Sequence, residues 1–151
     1  MRAQIQLKSS EDGIGTSITL PSDFEKYTIH SIAFGTLEYP VTVEYHANSN
    51  LYVSQELYEK LMLPFEGNIH YFIHNNTIHI GPLIGIFTAG FTSSMLRPIG
   101  ERSLFFSKLL STEKKVGAYA FIFGANHINW EDGTIEGFMF TEKGWCKKQL
   151  P

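Results

Sequence analysis

Apolar and polar positions alternate through the first half of the chain, and the alternation stops at Gly81-Pro82. Residues 17–45 and 51–81 follow one plan. Each opens with a short alternating stretch, Ile18-Thr19-Leu20 in the first and Leu51-Tyr52-Val53 in the second. A period of two marks a strand with one buried face. Each stretch then passes into a helix start. Pro21 stands where a missing N–H does no harm, and Ser54 is a favourable N-cap. Leu57, Tyr58, Leu61 and Met62 follow Ser54 at helical spacing, and Leu63-Pro64 closes that helix, because a residue before proline is pushed out of the α region. Strand pairs come next. Thr28 to Phe34 turns at Gly35 and returns through Val41, Val43 and Tyr45. Ile69 to His74 turns at Asn75-Asn76 and returns from Thr77 to Ile80. Asparagine tolerates positive φ, so Asn75-Asn76 predicts a two-residue type I′ hairpin. The repeated plan predicts a small pseudo-symmetric β-barrel over 1–81, of the double-psi or swapped-hairpin kind.

Past the joint the pattern is different. Leu83 to Phe87 is apolar at nearly every position, which predicts a strand covered on both faces. A loop rich in Gly, Ser and Thr runs from Thr88 to Gly100. Glu101 to Thr112 predicts a helix with a broad apolar face of Leu104, Phe105, Phe106, Leu109 and Leu110. Gly117 stops it, and Ala118 to Phe123 is a second apolar strand. Strand, loop, helix and strand make a βαβ unit with parallel strands. Ile128 to Trp130, the turn at Asp132-Gly133, Thr134 to Phe140 and the turn at Lys143-Gly144 predict a C-terminal β-hairpin. The fold class is therefore mixed α+β and α/β, with a barrel at 1–81 and an α/β unit at 82–151.

Parallel sheets hold ligands beyond the carboxyl ends of their strands. That edge brings together the 88–100 loop and the turn Gly124-Ala125-Asn126-His127. Thr88, Gly90, Thr92 and Ser93 offer hydroxyls and backbone N–H groups there, and Arg97 and Arg102 offer positive charge for an anion or carboxylate. These six are the candidate substrate-facing residues. Neither standard glycine-rich nucleotide loop is present. No Ser/His/Asp set and no paired acids on a rigid frame can be read, so no catalytic residue is assigned.

Composition narrows the classes. With 151 residues, 43% hydrophobic and 18% charged, the chain has the make-up of a globular protein, and its 12 Phe and 7 Tyr argue against disorder. A net charge of -3 argues against a nucleic-acid binder, which needs a basic stripe. The single cysteine, Cys146, excludes an internal disulfide and reads as a bystander thiol. No run approaches the roughly 20 apolar residues of a membrane span, and the N-terminus lacks the apolar core of a leader, so a cytoplasmic protein is expected. Three of the six histidines fall on one hairpin. A two-residue turn opposes His74 to Thr77, Phe72 to His79 and His70 to Gly81, which puts the histidines on the face opposite Tyr71, Ile73, Ile78 and Ile80. His70, His74 and His79 are the candidates for a metal, but no carboxylate of the hairpin completes the set. They read as exposed polar histidines, with no metal assigned.

Several marks combine into a resemblance. They are Leu63-Pro64, Ile80-Gly81-Pro82-Leu83-Ile84-Gly85-Ile86, Phe105 with Leu109-Leu110, Ile128-Asn129-Trp130 with Gly133 and Gly137, and Gly144-Trp145 followed by Leu150-Pro151. From about residue 51 onward the chain resembles the N-terminal region of the YheC/YheD endospore coat-associated proteins, of the ATP-grasp superfamily. The resemblance implies a parent that joins a carboxylate to an amine with ATP and Mg2+. It places those cofactors and the catalytic groups in a core C-terminal to this region, with none in this chain. It also implies a pre-ATP-grasp unit that shapes substrate access, with the 88–100 loop facing the substrate, and an association with the spore coat. The rival expectation is a stand-alone binding module of the spore or cell envelope, presenting the hairpin face or the 88–100 loop to a peptide, a glycan or another protein. An α/β unit ending at this point leaves an open sheet edge and an apolar patch, which predicts self-association.

Overall fold

The computed structural model describes residues 2–8 and 15–151, and all but the side chain of Lys114 within them. Part of the N-terminal stretch read for a leader therefore lies outside the described residues. In chain order the elements are β1 (Arg2–Leu7), β2 (Ser17–Pro21), β3 (Ser31–Phe34), β4 (Leu37–Pro40), β5 (Thr42–His46), β6 (Leu51–Val53), α1 (Gln55–Lys60), β7 (Gly67–His74), β8 (Thr77–Ile80) and β9 (Leu83–Phe87). They continue with α2 (Ser103–Leu110), α3 (Glu113–Val116), β10 (Tyr119–Phe123), β11 (Ile128–Asn129), β12 (Thr134–Thr141) and β13 (Gly144–Leu150). Short 3-10 turns stand at Ser22–Lys26, Gly100–Arg102 and Ala125–His127. Among the described residues no helix is long and apolar enough to cross a membrane.

Local chemistry settles the predicted elements of the first half. Ser54 Oγ accepts the Leu57 N–H at 3.3 Å and caps α1. Asn75 and Asn76 have φ of 50° and 61°, and the hairpin pairs His74 with Thr77 and Phe72 with His79, in the register expected from a two-residue turn. The strands form an eight-stranded mixed sheet in the order β4-β3-β8-β7-β1-β6-β2-β5. The N-terminal strand β1 lies near the middle, antiparallel to β7 and parallel to β6, with Ala3 and Ile5 buried.

The first predicted hairpin is cut in two. Pro40 has no N–H and cannot extend the ladder. Pro40 is the last residue of β4, opposite Ser31; the Val41 N–H still reaches the His30 carbonyl at 2.9 Å, and from Thr42 onward β5 leaves the hairpin to pair in parallel with β2 at the far end of the sheet. A flat path of eight strands would hold β4 and β5 about 34 Å apart, seven spacings of ~4.8 Å. One residue, Val41, joins them and spans no more than about 7 Å from neighbour to neighbour. The sheet must therefore roll until its ends meet. No ladder joins those ends among the described residues, so the closed barrel expected from the duplicated plan is replaced by a rolled, open mixed sheet.

The second sheet has the order β11-β12-β10-β9, and β13 pairs along the other side of β12. β9 and β10 are parallel, from Tyr119↔Leu83 to Phe123↔Phe87. β9 is not a covered strand. Among the described residues it pairs with β10 alone, and Ile84 and Phe87 are 44% and 63% exposed. An all-apolar run cannot distinguish a strand buried on both faces from an edge awaiting a neighbour. The helix departs from expectation in the same way. A 3-10 turn precedes it and it ends at Leu110. Phe106 and Leu110 are buried, whereas Leu104, Phe105 and Leu109 face solvent. Gly117 ends α3 at φ 74°.

The strands divide at Gly81-Pro82, whose peptide is cis, but the core does not. Tyr119, Phe121, Met139 and Leu150 of the second sheet pack into the cluster formed by Ile5, Ile32, Leu51 and Ile78 of the first. Tyr119 is fully buried, its ring edge-on to Phe34 and Phe65 at 5.4 and 5.1 Å, and its hydroxyl donates to the Phe65 carbonyl at 2.8 Å. A second seam lies at the end of α3. His70 N–H donates to the Gly117 carbonyl at 2.8 Å, and Arg2 Nη1 donates to the Lys115 carbonyl at 3.1 Å. A smaller cluster of Ile99, Phe106, Leu110, Ile122 and Phe138 seats α2 on the second sheet.

Candidate functional site

The carboxyl ends of β9 and β10 open into a depression of about 340 Å³. Thr88, Gly90 and Phe91 line it from one side, and Gly124, Asn126 and His127 from the other. Asn126 and His127 also line a second depression of about 440 Å³, which continues over β12 and β13 past Thr134, Glu136, Lys147 and Gln149. The two form one open polar groove with the 125–127 turn as its saddle.

The saddle is built from its own sequence. Gly124 N–H donates to His127 Nδ1 at 2.8 Å, and His127 N–H donates to the Gly124 carbonyl at 3.0 Å. An imidazole accepting at Nδ1 carries its proton on Nε2, so that edge keeps a donor. Behind it, the rings of Phe91 and Phe138 lie 4.5 and 5.0 Å from the imidazole and hold it in place. On the other side, hairpin register brings Thr134 and Gln149 together. Gln149 Nε2 donates to Thr134 Oγ1 at 3.3 Å, and Thr134 Oγ1 donates to Asp132 Oδ1 at 2.6 Å. Asp132 also accepts from Asn129 Nδ2 at 3.0 Å. Lys147 and Glu136 pair at 3.5 Å across the strands. Amides, a hydroxyl, an imidazole, the compensated Lys147–Glu136 pair and the further cation Lys148 suit a polar ligand that carries a negative charge beside its hydrogen-bonding groups.

The structure separates the six predicted substrate-facing residues. Thr88 and Gly90 line the groove. Arg102 braces its wall, with its guanidinium donating to Thr88 Oγ1 at 3.2 Å and to the Ala89 carbonyl. Gly90 has φ 89°, and a Cβ there would stand 2.6 Å from Arg102 Nη2, so the wall needs a glycine. Thr92 serves the loop itself, donating from Oγ1 to the Arg97 carbonyl at 2.8 Å. Ser93 is exposed outside the groove. Arg97 turns to a different depression, beside α2. A Gly/Ser/Thr loop folded on its own hydrogen bonds has two sides, and composition cannot assign residues to them. Thr134, Glu136, Lys147 and Gln149 were not singled out from the sequence as site residues. Counting back from the Lys143-Gly144 turn was the one signal, since it pairs Glu136 with Gln149.

The histidine candidates do not converge. His70 packs at the end of α3, where its Cδ2 would lie 2.9 Å from a Cβ on Gly117. His79 stacks on Phe72 at 4.6 Å, with His74 6.5 Å away. Among the described residues no three His, Cys, Asp or Glu side chains are placed to hold a metal ion. Cys146 lies half-buried on β13, and burial pushes its thiol above the ordinary value, against a smaller opposing pull from Lys148. Such a thiol is a poor nucleophile.

Two mixed sheets on one shared core, with an open polar groove at the ends of parallel strands, define an α+β module. Over 146 residues, 95% of its length, the chain is 45% identical to a protein of Bacillus subtilis (strain 168) named endospore coat-associated protein YheD. The chain belongs to the YheC/YheD family. It spans 31% of that relative's length, under a third. No protein-family model matches the chain, and no solved structure matches it.

Proposed function

We propose that this chain is the non-catalytic, substrate-side module of an endospore coat-associated protein of the ATP-grasp kind. The groove at the carboxyl ends of β9 and β10 carries the reading. It has positioned donors and acceptors, and its one hydroxyl–carboxylate pair, Thr134 with Asp132, is a turn contact in which the same carboxylate oxygen also accepts the Thr134 N–H at 3.0 Å, which is the equipment of a binding wall. ATP and Mg2+ would be held outside the third of the relative that this chain matches, and β9–β13 would be the pre-ATP-grasp unit beside them. The duplicated strand–helix–hairpin plan of the rolled sheet is consistent with an ancestral swapped-hairpin barrel. Incubating the chain with Mg-ATP should release no phosphate and leave its melting temperature unchanged. Phosphate release in proportion to chain concentration overturns the proposal. In a full-length relative with measurable ligase turnover, alanine at the counterpart of Asn126 or Gln149 should raise KM for the acceptor substrate and leave that for ATP unmoved.

One observation favours the rival reading, a binding module of the coat or envelope. Phe72 is 57% exposed and stacked on His79, an aromatic platform on the hairpin. If that platform is the working surface, Phe72→Ser abolishes co-sedimentation of the chain with isolated coat layers, while Asn126→Ala does not.

The open edge leads us to propose, in addition, that the chain pairs with a second copy through β9. Native sheets blunt an edge with charges or a bulge. Residues 81–96 contain no Asp, Glu, Lys, Arg or His. Antiparallel pairing of two copies would satisfy the free ladder on both, as a two-fold contact requires.

A further inference from the structure

Beside α2, on the side away from β9, lies a depression of about 470 Å³, large enough for a small ligand. Its floor is aromatic. Phe140 and Trp145 are directly paired across the β12–β13 hairpin, with rings edge-on at 5.3 Å. Its walls are aliphatic and open. Leu96 is 88% exposed and Leu104 is 65% exposed. The exposure of Leu96 is built in. Thr92 N–H donates to the Pro98 carbonyl at 2.8 Å, Ser94 N–H to Thr92 Oγ1 at 3.2 Å, and Arg97 N–H to Ser94 Oγ at 3.3 Å. The loop is pinned on both sides of a leucine that it holds out to water, against the ordinary preference for burying such a side chain.

The rim is charged. Arg97 and Lys143 both line the depression, and among the described residues neither head group has a hydrogen-bond or ion-pair partner. Glu101 is the one acid on the same rim, so cations outnumber it two to one. An aromatic floor and aliphatic walls select an apolar body, and two free cations at the mouth select a single negative charge attached to it. We propose that this depression binds a medium-chain carboxylate, with the tail against Trp145, Leu96 and Leu104 and the carboxylate between Arg97 and Lys143. The site is separate from the polar groove and does not depend on the function proposed for it.

Trp145 reports on the site. In a Trp130→Phe background it is the only indole, because the chain has two tryptophans. Titration with decanoate below its micelle concentration should give a saturable change in Trp145 emission. Arg97→Ala with Lys143→Ala should weaken decanoate binding by about tenfold or more. The same pair should leave decanol, which has the tail without the charge, binding unchanged. Both positions are exposed, and an unchanged far-UV spectrum confirms that the variants fold. Emission that does not saturate with decanoate overturns the proposal. So does a decanoate affinity that survives loss of both cations, or decanol binding as tightly as decanoate.

Discussion

If the two sheets share one core, a single atom at their junction should loosen both. Tyr119→Phe removes only the hydroxyl oxygen of a fully buried ring and leaves its packing on Phe34 and Phe65 in place. What is lost is the 2.8 Å bond to the Phe65 carbonyl, which is then left short of a donor. A net hydrogen bond is worth about 0.5–1.5 kcal/mol, and an acceptor left partly shielded from water raises the cost, so about 1–2 kcal/mol is expected. At a urea slope of about 2 kcal/mol/M this moves the midpoint down by roughly 0.5–1 M. Tyr119→Ala also opens a cavity and should cost about 3–5 kcal/mol. The assay is urea unfolding followed in two ways. Tryptophan emission reports the second sheet through Trp145 on β13, and hydrogen exchange at Ile32 and Ile78 reports the first. Both probes should shift together by the same free energy. If the tryptophans shift while exchange in the first sheet stays as protected as before, Tyr119 does not couple the sheets and the shared core is refuted.

Gly117 sits at φ 74°, and a Cβ there would lie 2.7 Å from Arg2 Nε, so Gly117→Ala should lower stability by more than the about 1 kcal/mol of a strained backbone alone, measured as a melting-temperature drop. Alkaline pH should destabilise the fold. Burial, reinforced by Glu66, pushes the Tyr58 hydroxyl from 10.0 to about 12, and burial raises Tyr119 and Tyr71 too. The unfolded chain then releases these protons first. The stability they contribute is complete below pH 10 and is lost as pH climbs toward 12, and Tyr58→Phe should flatten that slope; a urea midpoint that holds steady to pH 12 would contradict the assignment. Sedimentation equilibrium should show concentration-dependent dimers, and Ile84→Lys on the open edge should return the chain to a monomer. A wild-type chain that stays monomeric at high concentration removes β9 as a contact.

Whatever depends on neighbours in sequence was legible in the sequence. Ser54 as a cap, Asn75-Asn76 as a type I′ turn with its register and Gly117 as a left-handed stop all follow from turn chemistry and periodicity, which act over a few residues, while the parallel placement of 83–87 beside 119–123 follows from the rule for a strand–helix–strand connection. Tertiary structure decided what depends on strand order. Periodicity states that a strand has a buried face but not which strand lies beside it. Nothing local sends β5 to the opposite edge from β4, sets β1 at the centre, or leaves β9 with a single neighbour. The groove is a consequence of the same kind. Asn126, Thr134 and Gln149 meet because three separate strand ends converge, while Arg97 is turned away by hydrogen bonds inside its own loop. The sequence determined where the chain could bend and which faces were apolar. The packing of two sheets around Tyr119 determined which of its polar groups share a site.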